Sequence, residues 1–155
     1  MAKPSALDTL IELAQTRTDD AAKRLGMLCK QGVQVEAKLQ LLLQYRDDYS
    51  ARFQVSMRQG LTASDWRNYQ EFIDKLDAAI TQQRETLASA QQRVAAGKVA
   101  WQSAKRTFNS YDTLAQRQAR AELLRATKRE QRETDEHTVN AAARQNPSRR
   151  KPSRI

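Results

Sequence analysis

The chain has 155 residues, with 27 Lys and Arg against 18 Asp and Glu, for a net charge of +9. Only four Gly and three Pro, a mean hydropathy of −0.81 and 29% charged residues describe long solvated helices rather than a compact ball. The single Cys29 excludes an intrachain disulfide, and no apolar run approaches the roughly 20 residues of a membrane span.

The opening M-A-K-P-S-A-L-D carries no hydrophobic signal core, so the expected location is cytoplasmic. Ser5 is placed to cap a helix, with Asp8 three residues on as its reciprocal partner. That helix is predicted over 5–58. Gly26 and Gly32 lie inside it, each at a propensity cost of about 1 kcal/mol relative to Ala. The stretch M-R-Q-G-L-T-A-S-D-W-R-N-Y, Met57 to Tyr69, is the one strong turn signal. Gly60 suits a left-handed position just past a helix end, Thr62 and Ser64 are good N-cap residues, and Asp65 belongs in a helix's positive first turn. The turn is therefore placed at 59–64 and a second helix at 65–139. From about Asn140 the pattern gives way to Pro, Ser and clustered cations. Residues 1–140 are thus expected to form an antiparallel α-helical coiled coil, and 141–155 a disordered basic tail.

Apolar residues set the fold class, an all-α two-helix hairpin. Outward from the turn, Phe53, Tyr49, Arg46, Leu42, Leu39, Val35, Gly32, Leu28, Leu25, Ala21, Thr18, Ala14, Ile11 and Leu7 are spaced alternately by four and three. Tyr69, Ile73, Leu76, Ile80, Gln83, Leu87, Ala90, Val94, Gly97, Trp101, Ala104, Phe108, Tyr111 and Ala115 repeat the same spacing. Folding about Leu61 sets Phe53 against Tyr69 and continues to Leu7 against Ala115. Large residues then meet small ones: Trp101 faces Ala21, Phe108 faces Ala14, and Leu25 faces Gly97. Beyond Ala115 the seam weakens, and a charged helical stretch with Arg117, Arg120, Arg125, Lys128, Arg129 and Arg132 is expected to project without a partner.

Chemistry is sparse. There is no Gly-rich phosphate loop and no ligand cluster at metal spacing, so neither a catalytic residue nor a cofactor is expected. His137 reads as a solvated side chain, and Cys29, next to seam Leu28, as a structural thiol. The flank of the seam near the turn says more. Lys38, Tyr45, Phe72 and Ala79 occupy heptad positions g, and the g flanks of antiparallel helices border each other. Tyr45 and Phe72 therefore form an apolar patch where Glu or Lys is usual, which points to a protein partner, the alternative being a widened seam that shields itself. The projecting helix mixes acids with its bases and has no aromatics for base stacking, so a charged protein surface suits it better than nucleic acid. A generic coiled-coil scaffold or a basic nucleic-acid-binding protein is the alternative reading.

The residues Met1, Ala6-Leu7, Thr9-Leu10, Asp19-Asp20-Ala21-Ala22, Leu25-Gly26, Tyr45, Tyr49 and the run Trp66-x-Asn68-Tyr69-Gln70-x-Phe72-Ile73 resemble the bacterial flagellar FliJ family. The resemblance implies a non-enzymatic part of the flagellar type III export apparatus, peripherally associated with the cytoplasmic face of the inner membrane without insertion. It implies a coiled-coil stalk that couples the hexameric export ATPase to the cytoplasmic domain of the export gate protein and acts with export chaperones. The matching gate-binding positions are Lys38, Leu42, Tyr45, Tyr49, Phe72, Leu76, Ala79 and Gln83. The ATPase ring is expected at the open end of the hairpin, through Leu7, Arg117, Arg120 and Arg125.

Overall fold

The computed structural model describes residues 5–146. Two α-helices make up nearly all of this span: α1, Ala6–Arg58, and α2, Ala63–Gln145. Both open with the same reciprocal cap. The Ser5 N–H donates to Asp8 Oδ2 at 3.1 Å, and the Asp8 N–H donates to Ser5 Oγ at 3.2 Å. At α2 the Thr62 N–H donates to Asp65 Oδ2 at 3.4 Å while the Asp65 N–H donates to Thr62 Oγ1 at 3.2 Å. Each cap satisfies two amides that a helix start leaves without a partner. Between the helices Gly60 takes φ +91°, the left-handed conformation that ends α1.

Three boundaries move from their expected places. Thr62 is the cap, so α2 begins at Ala63 rather than 65, and the turn closes at Thr62 rather than 64. At the other end α2 runs through Gln145 rather than 139, so residues 141–145 belong to the helix and not to a tail. Ala141, Ala142 and Ala143 are the strongest helix formers, Arg144 complements the helix dipole, and the stop falls just before Pro147, whose ring disfavours helix at Asn146. The remainder of the expected tail, 147–155, lies outside the described residues.

The chain forms two packing units. The larger, Glu12–Phe108, is an antiparallel hairpin of α1 and α2 around Gly60. Its buried residues are Ala14, Leu39, Ile73, Leu76, Ile80 and Ala90, all of them seam positions. The other seam positions of this unit are half-buried, so the four-and-three spacing identifies the packed line. Leu39, Leu76 and Ile80 make its core, flanked by Leu42, Leu43 and Leu87. The register is the one obtained by folding about Leu61. A Cβ placed on Gly97 would lie 3.0 Å from Leu28 Cδ1 and 3.3 Å from Leu25 Cδ1, so the absent side chain is where the two leucines go. Trp101 is half-buried, and Lys105 Nζ sits 4.9 Å from its ring centroid.

The smaller unit takes in the chain before residue 12 and after residue 108. Leu7, Ile11, Tyr111 and Ala115 are half-buried there, and every described residue from Glu122 onward is exposed. The end of α2 is therefore a solvated helix, as the loss of the seam after Ala115 implies. Among the described residues, no helix is long and apolar enough to cross a membrane.

The helix glycines separate propensity from packing. Nothing lies within 4 Å of a Cβ built on Gly26, so Gly26→Ala should raise stability by about 0.5–1 kcal/mol through helix propensity alone. Gly97→Ala adds the same methyl group against Leu25 and Leu28, and overpacking there should offset or exceed the gain. Chemical denaturation of both variants checks this. Equal gains would mean that the leucines do not close on Gly97.

Candidate functional site

The seam residues nearest the turn are aromatic, and they stack. Phe53 lies on Tyr69 with ring centroids 3.6 Å apart and planes 11° apart. Tyr69 stacks on Tyr49 at 5.5 Å, and Tyr49 meets Phe72 at 4.2 Å with a 40° tilt. Trp66 caps the series, 5.4 Å from Phe53. This ladder alternates between the helices and fixes their positions next to the turn. Trp66 lies one step beyond the seam positions that the sequence spacing names. One more step of the seam, three residues back from Tyr69, lands on it, with small Ser56 opposite.

The structure distributes the eight turn-proximal candidates between surface and core. Lys38 and Tyr45 are exposed, as is Phe72 in part, while Leu42, Tyr49, Ala79 and Gln83 are half-buried. Leu76 is only 8% exposed and belongs to the core, where it supports the surface rather than presenting itself. Among the described residues no ring contact joins Tyr45 to Phe72. Phe72 leans on Tyr49, and Tyr45, 53% exposed, stands clear of the ladder on the flank that their register shares. Gln83 Nε2 donates to the Val35 carbonyl oxygen on α1 at 3.0 Å, so its amide is spent across the seam. Lys38 and Gln83 line one open groove with Val35 and Ala90.

The second candidate set falls in the smaller unit. Leu7 is half-buried, and Arg117, Arg120 and Arg125 are exposed on one stretch of α2. Cys29, read from the sequence as a structural thiol next to seam Leu28, is exposed: it points away from the line that Leu28 enters. His137 is exposed. Among the described residues no group of acidic, His and Cys side chains is arranged to hold a metal ion.

Among the described residues, the Arg46–Asp77 ion pair crosses the seam. Arg46 Nε donates to Asp77 Oδ1 at 2.6 Å, with Nη2 to Oδ2 at 3.5 Å, between side chains 42% and 47% exposed. It lets a charged residue occupy a seam position, its aliphatic stem along the seam and its head on Asp77. The hydrogen bond from Arg46 holds the Asp77 carboxyl below the usual carboxylate range, and the bond to Asp77 raises Arg46 in turn.

Comparison with known proteins adds a family to this geometry. The family profile described as "Flagellar FliJ protein" matches residues 3–147. The flagellar FliJ protein of Escherichia coli (strain K12) is 36% identical over 144 residues, covering 93% of this chain and 98% of the relative. The flagellar FliJ protein of Salmonella typhi is 35% identical over the same shares. The chain belongs to the flagellar FliJ family. The FliJ match spans both candidate sets and nearly all of α1 and α2, so it concerns the hairpin as a whole rather than one segment.

The Arg46–Asp77 pair gives this FliJ-family chain a defined acid response. Because the folded state lowers the Asp77 pKa, the stability it adds is complete above the ordinary carboxylate pKa of about 4 and is lost as pH falls through the lowered value. Arg46, raised from an already high value, stays charged throughout. Asp77→Asn should therefore lower the melting temperature near neutral pH, and the gap from the unmodified protein should narrow below about pH 4. A gap independent of pH would show that the pair contributes through packing alone.

Proposed function

We propose that this chain is a non-enzymatic stalk of the flagellar type III export apparatus, coupling the export ATPase hexamer to the cytoplasmic domain of the export gate and working with export chaperones. Family membership supports the flagellar assignment. The observation that carries the docking role is the Tyr45–Phe72 flank: Tyr45 is 53% exposed and Phe72, packed on Tyr49, still 43%, beside a seam that is already packed without Tyr45. Exposed aromatics on a rigid helical face are the usual anchors of a protein interface. An open two-helix packing has no enclosed cavity in which to shelter a reaction, which supports a mechanical role. The near balance of seven basic and six acidic residues over 109–146 argues against tracking a phosphate backbone there.

The gate contact is tested by truncating its anchors. Tyr45→Ala should leave helix content and melting unchanged, because that ring makes no contact in the ladder. It should weaken gate binding by about 1–2 kcal/mol, near tenfold. Tyr45→Ala with Phe72→Ala should abolish gate binding and motility at some cost in stability, since Phe72 packs on Tyr49. Unchanged gate affinity in folded Tyr45→Ala would remove this flank from the interface.

A separate measurement addresses the ATPase. Reversing Arg117, Arg120 and Arg125 to Glu should impair assembly of the ATPase ring while gate affinity holds, because the two residue sets belong to different packing units. Ring stimulation that survives the triple reversal at physiological salt would place that contact elsewhere.

A further inference from the structure

The flanks of the hairpin differ in charge where its aromatics are exposed. In the register of the seam, residues 36–54 of α1 lie against 68–86 of α2. Beside and just outside the seam, the flank of Tyr45 and Phe72 carries the bases Lys38, Arg52 and Lys75 with the single acid Asp48. The opposite flank carries Glu36, Asp47, Asp74 and Asp77 with the single base Arg84. Glu71 and Glu85 stand on the outer line of α2, between the two flanks. The Arg46–Asp77 ion pair is made on the acidic flank, and among the described residues none of Lys38, Arg52 and Lys75 pairs with a carboxylate. Exposed apolar side chains divide the same way. Leu41 is 47% exposed, Tyr45 53% and Phe72 43%, all on the basic flank, whereas Leu43 on the acidic flank packs against the Leu39–Leu76–Ile80 core.

We propose that the basic flank is an apolar centre inside a cationic rim, and that the gate segment it takes is apolar with carboxylates around it. The proposal rests on the gate reading above; it adds Leu41 to the anchors, and Arg52 and Lys75 to the contact. Leu41 precedes Tyr45 by one helical turn. In the register of the seam Tyr45 falls between Lys75 and Ala79 of α2, and Leu41 between Ala79 and Gln82. Leu41, Tyr45, Ala79 and Phe72 thus make one row of apolar positions. Lys38 closes this row at one end and Arg52 at the other, about 21 Å apart along the axis at 1.5 Å per residue, with Lys75 on its α2 side. Protein interfaces bury such a centre and leave the rim wet, where charge governs encounter and the choice of partner. Three cations without a partner in their own chain attract a segment that bears carboxylates and repel a basic one. Asp48 is the one charge along the row that opposes them.

The test titrates the full-length protein with the purified cytoplasmic domain of the gate protein, at low salt and at about 500 mM salt. Affinity should fall about tenfold or more with salt. Lys38→Glu, Arg52→Glu and Lys75→Glu should each weaken binding by about threefold to tenfold at low salt, and by less at high salt. Leu41→Ala should weaken it about tenfold at both salts, with helix content unchanged. Asp47 and Asp48 form a matched pair, adjacent in sequence but on opposite flanks. Asp48→Lys should tighten binding, whereas Asp47→Lys, an identical change in net charge, should alter it little. Salt-independent affinity, equal effects of Asp47→Lys and Asp48→Lys, or normal binding by Leu41→Ala would each overturn the proposal. If Tyr45→Ala still weakens binding in that case, the gate reading stands without it. Affinity untouched by Tyr45→Ala as well would remove both. Vesicles of anionic phospholipid are the further arm: binding to them that the rim reversals abolish, with gate affinity unaffected, would assign the flank to a lipid surface instead.

Discussion

Two helices without a third layer exclude water only along the line where they touch, and everything else in the larger unit depends on that line being continuous. The six buried residues all lie on it, each still 5–8% exposed, and none is large enough or deep enough to make a core alone. Stability has to be collected along the seam in small portions: a leucine pair over Gly97, a Leu–Ile cluster at Leu39, Leu76 and Ile80, and the stacked rings beside the turn. A cavity anywhere would open directly to solvent, which is why large and small side chains alternate across it.

The same constraint explains the polar residues that the seam accepts. Arg46 and Gln83 occupy positions where a leucine would bury more surface, and each is satisfied across the interface, by Asp77 and by the Val35 carbonyl. Polar groups at the edge of a narrow seam keep access to water, so their desolvation is small, while their partners exist only in one alignment of the helices. They flank the Leu39–Leu76–Ile80 cluster on either side, so a poor alignment there would leave charge or amide without a partner.

Much of this was legible in the residues. The four-and-three spacing located the seam, and the complementarity of Leu25 with Gly97 and of Phe53 with Tyr69 set its register, because period and size are properties of the sequence itself. The end of α2 is harder to read, since strong helix formers at 141–143 run directly into a segment rich in Pro, Ser and cations, and only the Ala run's helix preference, checked by Pro147, settles the balance. Among the candidate site residues, the exposure of Tyr45 followed from its heptad letter. The burial of Leu76 and the internal bond of Gln83 did not, because a family correspondence names positions without saying which atoms face outward. At Cys29 adjacency to a seam leucine carries no burial, because on a helix the next residue points about 100° away.

The turn also orders events in time. Because the helices fold back about Leu61, contacts near the tip close short loops and contacts far from it close long ones. The aromatic ladder therefore has the smallest chain-closure entropy to overcome, and each completed rung shortens the effective loop for the next. During synthesis α1 is complete before α2 begins, and α2 emerges with its tip-proximal residues first. Every new turn of helix leaves the ribosome when the preceding rung is already available to hold it. The hairpin is thus a zipper whose pull-tab is made first, and α2 need never accumulate a long unpaired apolar edge of its own.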